Sequence, residues 1–125
     1  MVENGTEQLA VVKVIQSMLA SHYTVVSNIA QEQHHIGGFF PDIIVMDKDN
    51  GNALFAIEVR KNGQVSHCIQ QWKSVTPHLP ATLYIVVPEA ELENAQAIAA
   101  VNGLKAKFGT YKMKSDGGVA NVNFL

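Results

Sequence analysis

At 125 residues, 47% of them hydrophobic and 16% charged, the chain has the length and composition of one well-buried globular domain. A net charge of −2 argues against a dedicated, high-affinity nucleic-acid binder, which normally carries a strong basic excess. The one cysteine, Cys68, excludes an intramolecular disulfide and fits a reducing cytoplasm.

Residues 1–9 carry acidic and polar side chains where a signal peptide would have a basic start and an apolar stretch. No apolar run reaches the roughly 18 residues of a membrane span. Residues 4–22 are predicted to form a helix, with Asn4 as its cap and Glu7 three residues on in a capping-box-like pattern. Leu9, Val12, Ile15 and Leu19 recur at helical spacing, widened by Val11, Val14 and Met18. Glu7 lies on the row of Val11, Val14 and Met18, on the buried side of the first turn. It can also be read simply as a cap and dipole partner.

Residues 23–30 are rich in branched side chains and read as a strand; the polar stretch 31–38, ending in Gly37-Gly38, reads as a loop. Its neighbouring His34 and His35 would point in different directions on an extended chain, which makes them a poor chelating pair. Residues 39–61 then form two strands around the turn Asp49-Asn50-Gly51. A three-residue loop with Gly51 in the left-handed conformation pairs Lys48 with Asn52 and sets Asp42 directly opposite Glu58. A two-residue Asn50-Gly51 loop would send the two carboxylates to opposite faces. In the first register Ile43, Val45, Phe55, Ile57 and Val59 share one face, and Ile44, Met46, Leu54 and Ala56 share the other with Asp42 and Glu58. Apolar residues on both faces imply a sheet covered by helices on both sides.

Residues 64–75 are predicted to be a helix with Val65, Cys68, Ile69, Trp72 and Val75 inward and Gln70, Gln71 and Lys73 to the side. Residues 83–87, LYIVV, read as a buried strand ended by Pro88. A helix with Glu89, Glu91 and Glu93 in its first turns runs to about residue 102, stopped by Gly103. Lys107–Met113 reads as a strand and residues 119–125 as a last edge strand. The expectation is an α/β domain with a mixed central sheet flanked by helices on both faces.

Pro41-Asp42, followed after a hairpin by Glu58-Val59-Arg60, resembles the motif of the PD-(D/E)XK nuclease superfamily, and the order of elements resembles its restriction-endonuclease-like fold. Glu7 matches the extra acidic residue of the resolvase-like and RecB-like branches, and Gln70 or Gln71 sits where the RecB-like branch places a glutamine. The resemblance implies a metal-dependent endonuclease acting on DNA. Asp42, Glu58 and the Val59 backbone carbonyl would hold Mg2+ or Mn2+, and Glu7 would orient water or a second ion. Magnesium suits this set because it takes oxygen ligands and usually one or two carboxylates. The departure is Arg60, where the family has lysine. Alternation aims Arg60 to the same side as Glu58, yet a guanidinium cannot act as a general base. A catalytically inactive module of the same fold, serving protein or nucleic-acid binding, is the alternative. A domain this small is expected to act as a homodimer or with a partner protein. Structural readings of the same residues are a strand start at Asp42, cross-strand ion pairs of Glu58 and Arg60, and a core position for Trp72.

Overall fold

The computed structural model describes residues 2–29, 31–61 and 63–125, and for residues 2–5 the main chain alone. Helix α1 covers Val2–Leu19, followed by strands β1 (Tyr23–Ser27), β2 (Ile43–Asp47) and β3 (Ala53–Val59). Helix α2 (Val65–Val75) leads to β4 (Thr82–Pro88), and α3 (Leu92–Val101) leads to β5 (Lys107–Met113) and β6 (Val119–Phe124). The six strands lie in chain order across one sheet. β3, β4 and β5 are parallel and every other neighbouring pair is antiparallel, so the sheet is mixed.

The two crossovers step the same way along the sheet, and a fixed crossover hand then puts both helices on one face. There α2 and α3 bury Ile69, Trp72, Ala95 and Ala99 against Ala56, Leu83, Ile85 and Val87. Helix α1 closes the other face, with Val11, Val12 and Ile15 on Ile43, Val45, Ile57, Val59 and Val86. The two-sided burial expected of the hairpin is therefore present: Ile43, Val45, Phe55, Ile57 and Val59 share the α1 face as the alternation predicts, and Ala56 lies on the other.

Several boundaries differ from expectation. α1 begins at Val2, so Asn4 lies within the helix and not at its cap; its side chain is outside the described residues. Nothing among Val2, Glu3 and Asn4 breaks a helix, so the turn continues backwards past the polar signal. β1 stops at Ser27 and not at residue 30, which is outside the described residues. Asn28 ends it. Its side-chain carbonyl accepts the Gln33 and His34 N–H groups at 2.9 and 2.8 Å, and its amide donates to the His34 and Pro41 carbonyls at 2.7 Å each. The chain is thereby turned out of the sheet into the 29–41 loop, whose tip closes through an Ile36–Phe39 bridge with Gly37 and Gly38 at positive φ.

The hairpin turn is the main correction. Asp47, not Lys48, faces Asn52: the Asp47 N–H donates to the Asn52 carbonyl at 2.9 Å, leaving the four-residue loop 48–51. The Asp47 carboxylate accepts the Asp49 and Asn50 N–H groups at 2.8 and 3.2 Å and so shapes the turn. Gly51 does take a left-handed φ of 74°. This loop alone would set the register one residue off. A β-bulge corrects it, because Met46 faces Ala53 while Val45 faces Phe55, leaving Leu54 as the extra residue. From there Ile43 faces Ile57, and one step further Asp42 comes opposite Glu58. The expected opposition arises by a different route.

Candidate functional site

The site forms at the C-terminal end of β3, where β2 begins and α2 starts. Glu58 is the last residue but one of β3 and is 2% exposed, a carboxylate inside the α2–α3 core. Both its oxygens are engaged. Oε1 accepts the Asp42 backbone N–H at 3.1 Å, and Oε2 accepts the Trp72 indole N–H at 3.1 Å. The Asp42 carboxylate answers across the hairpin: its Oδ2 accepts the Val59 N–H at 2.8 Å. Each acidic residue is thus tied to the other's strand, which fixes both carboxylates near one point.

Arg60 stands between them. Its backbone N–H donates to the Val86 carbonyl at 2.9 Å, extending the ladder with β4 past the end of β3 and keeping the side chain on the Glu58 side. Nη1 donates to Asp42 Oδ2 at 2.9 Å and to the Val59 carbonyl at 2.8 Å; Nη2 lies 3.2 Å from Glu58 Oε2. Nε donates to Cys68 Sγ at 3.2 Å, and the guanidinium carbon sits 5.5 Å from the Trp72 ring centre. Trp72 and Cys68 are one turn apart on α2, so a single helix face supplies an indole donor, a thiol acceptor and a ring face.

The charges follow from this burial. Desolvation pushes the Glu58 carboxyl up to about 7; Arg60 opposes the rise, neighbouring Asp42 adds to it, and the Trp72 hydrogen bond restrains it. Burial also works against charge on Arg60, but Glu58 and Asp42 outweigh it and its pKa is raised. Arg60 is therefore a permanent cation here, as its chemistry demands.

The residues predicted for the site do not all gather there. Glu7 does not face the Asp42–Glu58 point; it accepts a hydrogen bond from the Tyr111 hydroxyl on the α1 side of the sheet. Burial, then Glu7, raise the Tyr111 pKa. Gln8 takes the place expected of Glu7, donating from Nε2 to Asp42 Oδ2 at 2.9 Å and to the Val59 carbonyl at 3.3 Å. Its signal was an amide four residues before Val12 and seven before Ile15, hence on the buried stripe of α1. Gln70 and Gln71 are exposed on the outer side of α2. Helical phase gives the position over Glu58 to Trp72, since Val65, Ile69 and Trp72 form the buried row. His34 and His35 stay in the 29–41 loop, where the His35 ring lies against Phe40.

Asp42, Glu58 and the Val59 carbonyl form a set of hard oxygen donors that already converge on one cation, and that chemistry fits magnesium or manganese. Among the described residues no three His, Cys, Asp or Glu side chains cluster for a metal. Magnesium does not require three, since it keeps several of its waters. Comparison of the chain with known protein families, curated proteins and solved structures gives no match.

Proposed function

We propose that this chain is a metal-dependent endonuclease that hydrolyses DNA phosphodiester bonds, with the restriction-endonuclease-like variant of its mixed sheet that the PD-(D/E)XK resemblance implies. One observation carries the reading. Asp42 Oδ2, Glu58 Oε2 and the Val59 carbonyl all lie within 2.8 to 3.2 Å of a single guanidinium, so three oxygens on two strands are aimed at one positive charge. Mg2+ or Mn2+ would be held by these oxygens in place of Arg60. Such an ion, when bound, supplies Lewis acidity toward a phosphoryl oxygen and a bound water of lowered pKa.

The chain's own residues do the rest. Trp72 and the Asp42 N–H hold the two Glu58 oxygens in place, and Gln8 with the Val59 N–H holds Asp42 Oδ2. Neither carboxylate then needs to reorganise when a cation changes places. Arg60, displaced from the oxygens, is suited to grip a phosphate through its planar fork and to stabilise charge developing there. It does not take the proton from water.

The test is Mg2+- or Mn2+-dependent cleavage of single-stranded, duplex and branched DNA. Wild type is expected to cut, and Asp42→Ala and Glu58→Ala are not. Equal trace activity in wild type and Asp42→Ala would sink the proposal.

The same guanidinium favours a second reading, an inactive binding module in which Arg60 permanently replaces the ion. Its two ion pairs and its stack on Trp72 are what such a module would keep. Arg60→Ala separates the two. Removing one partner of a buried ionic cluster costs about 3 kcal/mol, the low end of the range because Arg60 and Asp42 keep some solvent contact. In urea melts, Mn2+ is expected to restore much of that loss if the oxygens are a metal site. No restoration, together with an uncleaved substrate, supports the module.

A further inference from the structure

On the α2–α3 side of the sheet, at the end away from Glu58, lies an open groove of about 890 Å³. It runs beneath the C-terminal ends of α2 and α3, and Leu83 and Leu104 contribute to its apolar lining. Lys73, Lys105 and Lys107 line it together with the hydroxyl-bearing Thr76, and among the described residues no acidic one does. A third of the nine basic residues of an acidic chain thus share one groove.

The sequence shows the same segregation. No Asp or Glu occurs between Glu58 and Glu89, nor between Glu93 and Asp116. Among the described residues no carboxylate lies within ion-pair distance of Lys73, Lys105 or Lys107, and all three are exposed. Offsetting the helix dipoles does not account for them. Two helix C-termini bring roughly half a negative charge each, about one in total against three lysines.

We propose that this groove binds the phosphate backbone of a nucleic acid. The groove is open, and its lysines come from two separate segments, the last turn of α2 and the approach to and start of β5, which suits a chain of phosphates better than a single small anion in a closed pocket. α2 links it to the carboxylate site. The helix starts beside Arg60 and ends at the groove, and its outward residues Ser66, His67, Gln70, Gln71 and Ser74 are polar and carry no acid. Eleven residues of helix span about 16 Å, roughly five phosphates of a duplex strand at about 3.4 Å each. A strand gripped at the groove would reach Asp42 and Glu58 over this face. Only the choice of nucleic acid as the polyanion rests on the phosphodiester reading of that site.

The experiment is anisotropy of labelled single-stranded and duplex oligonucleotides in EDTA, titrated between about 50 and 200 mM salt. The triple variant Lys73→Ala/Lys105→Ala/Lys107→Ala is expected to bind at least about ten-fold more weakly, with a log–log salt slope smaller by about 2 to 3. Lys13→Ala/Lys112→Ala/Lys114→Ala removes the same charge elsewhere and is expected to stay near wild type. Asp42→Ala is expected to bind at least as tightly as wild type, which separates the groove from the carboxylate site. Equal weakening of both triple variants, absence of binding by wild type, or displacement by inorganic phosphate at constant ionic strength each overturns the proposal.

Discussion

Glu58 shows how one residue can be well satisfied and still costly. Every oxygen has a partner, yet burial holds its carboxyl up near 7 because three partners do not replace water around a full charge. The consequence for stability has a definite sign. With a raised folded pKa, the native chain binds the Glu58 proton more tightly than the unfolded chain does. Between the unfolded carboxylate range and about pH 7, folding is therefore linked to proton uptake, and stability falls as pH rises through that window. Below it the contribution is fully present; above it the contribution is lost. One proton limits the slope to about 1.4 kcal/mol per pH unit. Glu58→Gln removes the titration and leaves all five histidines in place. Urea unfolding at a series of pH values should show wild type losing stability relative to the variant from about pH 5 to pH 8. Wild type gaining stability relative to the variant as pH rises would mean that Arg60 outweighs burial. The same proton must leave before a metal binds, so Mn2+ affinity is expected to fall below neutral pH.

At the scale of elements, Asp42 is placed by two irregularities and not by regular strand. The bulge at Leu54 restores the register that the four-residue loop would lose, and Asn28 fixes the chain on the other side of Pro41. Asn28 is 9% exposed and uses both its side-chain oxygen and its amide, each for two backbone partners. Asn28→Ala leaves those groups without it and is expected to cost about 2 kcal/mol. It should also weaken metal binding or cleavage more than its stability loss explains, because Asp42 follows Pro41 directly; thermal melts and Mn2+ titration at one temperature check both. How legible these elements are depends on range. The faces of the hairpin follow from alternation, a property of neighbours two residues apart, and they can be read directly. The bulge cannot, since Leu54 is as apolar as the residues around it and nothing local marks it as the extra one. Gln8 was harder still. Its partners are 34 and 51 residues away, and helical periodicity puts Glu7 and Gln8 both on the buried side without saying which reaches Asp42. Arg60 was legible in direction but not in consequence. Alternation aims it to the Glu58 side, and only the packing of Trp72 and Cys68 behind it brings the guanidinium onto three oxygens at once.

Across the whole molecule, the sheet separates two cores, and the site sits where they meet. β3 and β4 each have strand neighbours on both sides and are buried on both faces, by α1 on one and by α2 and α3 on the other. β1 and β6 have one neighbour each, and β6 leaves Ala120, Asn121 and Asn123 exposed. Edge elements open at lower free energy than central ones. The halves of the site therefore differ in firmness. Glu58, Val59 and the main chain of Arg60 belong to the central pair of strands, while Asp42 hangs from β2 and the 29–41 loop. Native-state hydrogen exchange is expected to show amides of β3 and β4 exchanging only through global unfolding, including the Arg60 N–H bonded to Val86. The β6 amides that point away from β5, and most of the loop, should exchange through smaller openings. Within the loop, the Gln33 and His34 amides, bonded to Asn28, and the Ile36 and Phe39 amides, bonded across the bridge at its tip, should be slower. The Asp42 N–H, donated to the Glu58 carboxylate, reports the join between the two halves. If it exchanges with the β3 amides, the carboxylates are held together until the domain unfolds, as a preorganised cation site requires. If it exchanges with the loop, they part in the native state, and a bound cation would then have to order Asp42. Mn2+ should in that case slow the Asp42 amide while leaving the β3 amides unchanged, a difference readable residue by residue.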